Sequence, residues 1–486
     1  MEKKKKACNF PRFEVLSDDD LERIYSKALL VLDHTGVRIP EEDAISLLKD
    51  AGGKVEKDIV HIPKEIVKEA LESSPKEIQI YSRDGQPALF LNTKNSYFGN
   101  GSDCIFILDS FTGERRKFTK DDVEKAARVI DALENINFVM PAGIISDKPI
   151  TAAGLHAFQA TTFNTEKPIL FTALNREGAF DIISVASIIA GGEDILQKKP
   201  FILHYVETTS PLSYSNDALK MLLQSAEKGI PIVCAPGPIA GATAPATLAG
   251  TLVLHLAESL SELVIAQLKN SGTPVIIGGC ASIMDMRTTI SAYAGPEFYL
   301  LNAALTQLCH LLHIPMFGTA GCSDAKKVDS QAAIESASSV ITQILCGADL
   351  IHDVGYIESG LTQSFDMMVI INEILGMAKK IKDGINIDDD RLAVDLINRV
   401  GVGGNYLAEE HTLKYFKGEF WMPELMNRQI YESWVEDGKK SLEELANEKA
   451  KSILEENRVT PLEESKKREI LRLIESRENT NATPGQ

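Results

Sequence analysis

Short apolar runs that each follow a proline recur through the middle of the chain: KPILFTAL from Lys167, KPFILHYVE from Lys199, IPIVCAPG from Ile230, TPVIIGGC from Thr273 and IPMFGTAG from Ile314. Two more, NFVMPAGI from Asn137 and ADLIHDVG from Ala348, have the same texture without the proline. Helix-like stretches such as SNDALKMLLQSAEKG separate them. Strands that are apolar on both faces and alternate with helices belong in a parallel sheet covered on both sides. Units of this kind, spaced roughly 30–40 residues apart, predict an α/β fold of the (β/α)8 TIM-type barrel rather than a doubly wound open sheet. The pattern gives no position for the eighth strand.

A barrel over residues 121–380 leaves two flanks. Residues 1–120 read as short helices, the first starting at Ser17 and stopping at Gly36. A small β-meander then runs from Ile78 to Phe118 with Asp-Gly and Thr-Gly turns. Thr119 with Asp122 opens a helix that runs to about Asn135. Residues 381–486 are helical and charged, and predict a C-terminal helical extension.

The chain of 486 residues carries 51 Lys and Arg against 69 Asp and Glu, a formal charge of −18. Nucleic acid and anionic membranes both need clustered positive charge, so neither is an expected partner. A small cationic substrate suits the balance better. No run approaches the ~18 consecutive apolar residues of a membrane span, and the basic start MEKKKK lacks the apolar stretch of a secretory signal. The scattered cysteines, odd in number and never in C-x-x-C, fit a reducing compartment. The expected location is cytoplasmic.

In a barrel the C-terminal strand ends and their loops carry the active site. HYVETTSPLSY places Glu207 at one such end with Tyr205 and Tyr214 beside it, and LIHDVGYIESG packs His352, Asp353, Tyr356 and Glu358 around another. In YFGNGSDC a Gly-rich turn holds Tyr97, Phe98, Asn100 and Asp103, in reach of the barrel mouth. A fixed carboxylate with aromatic faces is the usual surrounding of a quaternary ammonium. The plainer readings are an ion pair for Glu207, a core histidine for His352 and strand core for Tyr97. The histidines show no metal-ligand spacing, and GVGGNY from Gly401 matches no phosphate-binding motif.

The stretches YFGNGSDCIFILDSFTGERR, ETTSPL, GTAGCSDAKKVDSQAAIES, GADLIHDVGYIESG and GVGGNYLAEEHTLKYFKGEFWMPELMNR together resemble the trimethylamine methyltransferase family, over about residues 15–435. The resemblance implies a barrel that binds a methylated amine at its C-terminal mouth and holds no tight cofactor of its own. It also implies a separate corrinoid (cobalamin) protein that docks there and presents Co(I) as the methyl acceptor. Members specialised for trimethylamine carry pyrrolysine. This chain has only the standard twenty residues, which points to the non-pyrrolysine branch and to quaternary amines of the glycine betaine, proline betaine or carnitine type.

On that reading Glu207 and His352 are the catalytic candidates. Glu207 supplies a longer-range field, and Tyr97, Tyr205 and Tyr356 contact the ammonium group. His352 and the backbone N–H groups of Gly403 and Gly404 hold a substrate carboxylate. A homo-oligomer is expected and a resident metal is not. Two readings compete: a zinc-dependent corrinoid methyltransferase using Cys280 and Cys322, and a non-catalytic betaine-binding protein.

Overall fold

Prolines mark where the barrel strands begin. A proline at the first position of a strand has no N–H to leave unpaired, while its carbonyl still accepts from the neighbouring strand. The carbonyls of Pro231, Pro274 and Pro315 take the N–H groups of His204, Ile232 and Ile277 at 2.9, 2.9 and 3.1 Å. The computed structural model describes residues 11–456 and 459–482; the basic N-terminal run considered above as a signal lies outside them.

An all-parallel seven-stranded sheet holds β1 (Tyr97–Phe98), β2 (Ile169–Phe171), β3 (Ile202–Val206), β4 (Ile232–Cys234), β5 (Val275–Gly278), β6 (Met316–Thr319) and β7 (Leu350–His352). From β2 to β7 neighbours follow chain order, and β7 pairs back onto β1. The remaining gap, between β1 and β2, is filled by the NFV segment. Asn137 N–H donates to the Phe98 carbonyl at 2.6 Å, Val139 N–H donates to Pro168, and Leu170 N–H donates to Val139 at 2.9 Å. Eight extended segments thus close the barrel. The strand missing from the sequence pattern is Tyr97–Phe98, on the N-terminal side of the boundary expected at residue 120.

Helices follow each segment around the outside: α1 (Lys120–Ala132), α2 (Ile150–Phe163), α3 (Arg176–Ala190), α4 (Asn216–Glu227), α5 (Leu248–Lys269), α6 (Pro296–Leu312), α7 (Ser330–Cys346) and α8 (Phe365–Lys382). At the start of α1, Thr119 N–H donates to Asp122 Oδ2 at 2.9 Å, closing a capping box. By length and mean composition α5 is apolar enough to cross a membrane, although polar and charged residues interrupt it, and 78% of its apolar window is buried. Helices Asp18–His34 and Lys64–Ser73 pack over it, which explains why it is apolar nearly all round.

Side chains alternate between the two faces of a strand. Leu170, Leu203, Val233, Ile276, Phe317 and Leu350 form one inner cluster with a hairpin of Ile78–Tyr81 and Pro87–Leu91, which stops one end of the barrel. Tyr97 belongs to this floor: its hydroxyl accepts the Phe90 N–H at 3.1 Å. The expected meander is therefore divided. Its first hairpin plugs the floor, β1 joins the wall, and Phe106–Leu108 with Arg115–Lys117 joins Tyr356–Ile357 and Thr362–Ser364 in a four-stranded sheet.

After α8 the chain leaves Val402, Leu407 and Leu413 exposed. It then returns, with Leu442–Glu456 against α8 and α1, and Glu464–Ala482 against α2 and α3. Leu91 is fully buried in the floor. Leu91→Ala should cost about 2–5 kcal/mol of stability, read as a lowered urea midpoint; an unchanged midpoint would show that the plug bears no load.

Candidate active site

Above the floor the barrel opens into a cavity of about 500 Å³, lined by strand ends and the loops that leave them. β3 runs directly into Glu207, Thr208, Thr209 and Ser210, and β7 ends on His352 and Asp353. The turn after β1 contributes Ser102 and Asp103, and a hairpin after β5 (Ser282–Asp285 with Ile290–Ala292) leads to Tyr293. Glu207, His352, Tyr205 and Tyr356 therefore meet in one space.

Two of the carboxylates are paired. The Tyr205 hydroxyl donates to Glu207 Oε1 at 2.7 Å. His352 Nδ1 faces Asp353 Oδ1 at 2.7 Å, its Nε2 lies 3.0 Å from Thr319 Oγ1, and its ring stacks on Phe317 with centroids 4.3 Å apart. Asp353 Oδ2 is buried without a hydrogen-bond partner. Asp103 accepts from Ser102 Oγ at 2.8 Å. Both aspartates hold left-handed backbone, φ 68° and 77°, a conformation costly for residues other than glycine and concentrated at functional sites. Gly101 makes that turn possible. A Cβ there would collide with Asp353 Oδ1 and the Tyr356 ring, and the Tyr356 hydroxyl donates to the Ser102 carbonyl.

Asp103 and Glu207 present surface to the cavity, yet the surrounding protein still desolvates them. Burial pushes both carboxyls above the ordinary carboxylate range; hydrogen bonds from Ser102 and Tyr205 oppose it, and the Asp353 charge adds to it.

The wall behind the loop 207–212 is acidic too. Glu258 of α5 accepts from Ser210 Oγ and Leu212 N–H, each at 2.8 Å, and so clamps the cavity-lining loop. Burial pushes its carboxyl up to about 7. One turn on, Glu262 is fully buried, has the Cys234 thiol beside it and no conventional partner, and desolvation pushes its carboxyl well above the ordinary range.

Three expected roles need correction. Tyr97 stands at the beginning of β1, so it faces the floor and not the mouth. Gly403 and Gly404 are exposed in the C-terminal extension and are absent from the cavity wall. They form a tight turn, with φ +80° at Gly403 and Gly404 folded against Val400. His352 lines the cavity, but both ring nitrogens already have protein partners, so it is not a free carboxylate donor.

Of the cysteines in the zinc reading, Cys280 lines the cavity with its thiol pushed up to about 12 by burial. Cys322 is buried and donates to the Tyr293 carbonyl at 3.5 Å. Among the described residues no three His, Cys, Asp or Glu side chains converge as a metal-ligand set. Sequence reasoning noticed Asp103 and Asp353 without giving them a role, and missed Tyr293. The available signal was the segment ISAYAGP, inserted between a strand end and the next helix.

Residues 2–482 match the trimethylamine methyltransferase (MTTB) family. The chain belongs to this family. It is 32% identical over 95% of its length to trimethylamine methyltransferase MttB of Desulfitobacterium hafniense (strain DSM 10664 / DCB-2), covering 94% of that protein. It is 31% identical over 88% of its length to the glycine betaine methyltransferase of Desulfitobacterium hafniense (strain Y51), covering 89% of it. The crystal structure of the Methanosarcina barkeri monomethylamine methyltransferase (MtmB) aligns with 92% of this chain and 96% of that one, at 13% identity and a TM-score of 0.49. As a member of the family the chain is an enzyme, an amine methyltransferase.

Glu258 and Glu262 give stability a pH signature. Folding raises both carboxyl pKa values, so their contribution is complete below the unfolded value of about 4.3 and is lost as pH rises through the folded value, about 7 for Glu258. Glu262→Gln should flatten the fall in Tm between pH 5 and 8. Parallel Tm profiles for the variant and the natural chain would contradict the assignment.

Proposed function

We propose that the chain moves a methyl group from a small quaternary ammonium to the Co(I) of a corrinoid carried by a separate protein. The composition of the cavity carries this reading: Asp103, Glu207 and Asp353 share it with the rings of Tyr205, Tyr293 and Tyr356, and no Lys or Arg stands among its described lining residues. Carboxylates and aromatic faces attract a cation that has no N–H to donate. When docked, the corrinoid supplies a strongly nucleophilic cobalt as the methyl acceptor. The cavity is stopped at the floor, and the segments that follow the strand ends expose Ile144, Ile150, Leu174, Met286 and Ile290, a surface of the kind a docking partner covers.

The work left to this chain is binding and alignment. When the C–N bond breaks, its electron pair stays on nitrogen, so a quaternary amine leaves as a neutral tertiary amine and no acid is needed. Positive charge drains from the nitrogen in the transition state, and walls that gripped the cation too strongly would slow the step. The Tyr205–Glu207 and His352–Asp353 pairs share out negative charge that would otherwise face the nitrogen bare. Glu207 and His352 accordingly tune the field, while Tyr205, Tyr293 and Tyr356 provide the faces. The exposed apolar residues beyond α8 are, on the same reading, where copies of the chain meet in a homo-oligomer.

A panel of trimethylamine, choline, glycine betaine, proline betaine and carnitine, supplied with Co(I) cobalamin and followed by the spectral change on cobalt methylation, tests the reading. Demethylation of a quaternary amine in preference to trimethylamine is expected; silence on all five, with the cobalt verified reduced, would contradict it. Tyr293→Ala should raise KM roughly tenfold, the equivalent of about 1.4 kcal/mol of lost cation contact. Because Asp103 and Glu207 have raised pKa values, they take up protons early as pH falls, and cation affinity should weaken towards acid pH. Affinity that strengthened on acidification would contradict their role.

A further inference from the structure

Resting on the methyl-transfer reading above, we propose that the substrate is a quaternary ammonium whose fourth substituent is neutral and hydroxyl-bearing, of the choline type, and not a betaine with a carboxylate of its own. A buried carboxylate needs converging hydrogen-bond donors and is held best where a cation also offsets its charge, since burying it otherwise is expensive. The described cavity wall has no Lys or Arg to do this. The groups assigned to that task are elsewhere or occupied: Gly403 and Gly404 lie outside the wall, and His352 spends both ring nitrogens on Asp353 and Thr319.

The polar groups the cavity does offer suit a neutral tail. Thr208 Oγ1 is buried without a hydrogen-bond partner at the lining. Also at the lining, the Ser282 and Ser291 hydroxyls pair at 2.8 Å, with either able to donate. A hydroxyl can both donate and accept, so it can pair with any of these groups whichever way their own hydrogens point. In a betaine the carboxylate is only a few bonds from the nitrogen. With the ammonium among Asp103, Glu207 and Asp353, its carboxylate would lie in the same poorly screened space, against like charge. Choline keeps the attraction and loses the repulsion.

The test measures binding and turnover separately on the full chain. Calorimetry with choline, tetramethylammonium, glycine betaine and carnitine decides the inference: choline is expected to bind roughly tenfold or more tighter than either carboxylate-bearing amine. Equal or tighter binding of glycine betaine or carnitine, or binding of none of the four, would overturn it. Asp103→Asn should narrow the gap by weakening choline and favouring glycine betaine; a gap unchanged in a variant that keeps the natural Tm would also count against it. Turnover of the same compounds with Co(I) cobalamin decides the methyl-transfer reading independently. Choline bound in preference but never demethylated would sink that reading and leave the charge selectivity standing.

Discussion

A barrel of parallel strands is open at both ends until something fills one of them. Here the hairpin 78–91 packs against the inward residues Leu170, Leu203, Val233, Ile276, Phe317 and Leu350, and the lower half becomes solid hydrocarbon. The rest of the molecule depends on that stopper. Amine and methyl acceptor must then share one entrance, so a bound methyl has to point towards the loops. The polar residues that a packed interior would expel gather above the last apolar layer, where the strands end. A barrel drained through its floor would solvate Glu207 and Asp103 and weaken the field that the cavity concentrates.

Much of this was legible because strand direction is legible. A proline followed by an apolar run fixes where a strand starts, and the first polar residue after it marks the mouth. Glu207 was found by that rule and His352 at the end of a run of the same texture without the proline, and the structure brings them into one cavity. The same rule explains the misplacement of Tyr97, since the first residue of a strand faces the floor. β1 was read as part of the meander and not of the barrel because its two residues carry no periodicity, and its partners are β7 and the segment at 137–139. Asp103 depends on a left-handed turn that Gly101 permits, which no local pattern announces. Gly403 and Gly404 were chosen for a conspicuous motif rather than for position, and they proved to be a surface turn.

The electrostatics are a compromise between holding a cation and letting its charge go. Three carboxylates face the cavity, but a phenol and an imidazole temper two of them. Behind the loop, Glu258 exchanges some stability at alkaline pH for a fixed Thr208–Ser210 wall. Glu258 and Glu262 are the carboxyls at i and i+4 that interrupt the long apolar helix α5. Stability is given up where the site needs geometry, a common trade at functional sites.

The central claim is that the space between these carboxylates and tyrosines holds a quaternary nitrogen. A crystal structure of the chain grown with saturating tetramethylammonium tests it most directly. The account predicts the ion above the Tyr205–Glu207 pair, with the Tyr293 and Tyr356 rings against its methyl groups and one methyl facing the open mouth. An ion bound only outside the barrel, or a cavity filled with water alone at that concentration, would contradict it.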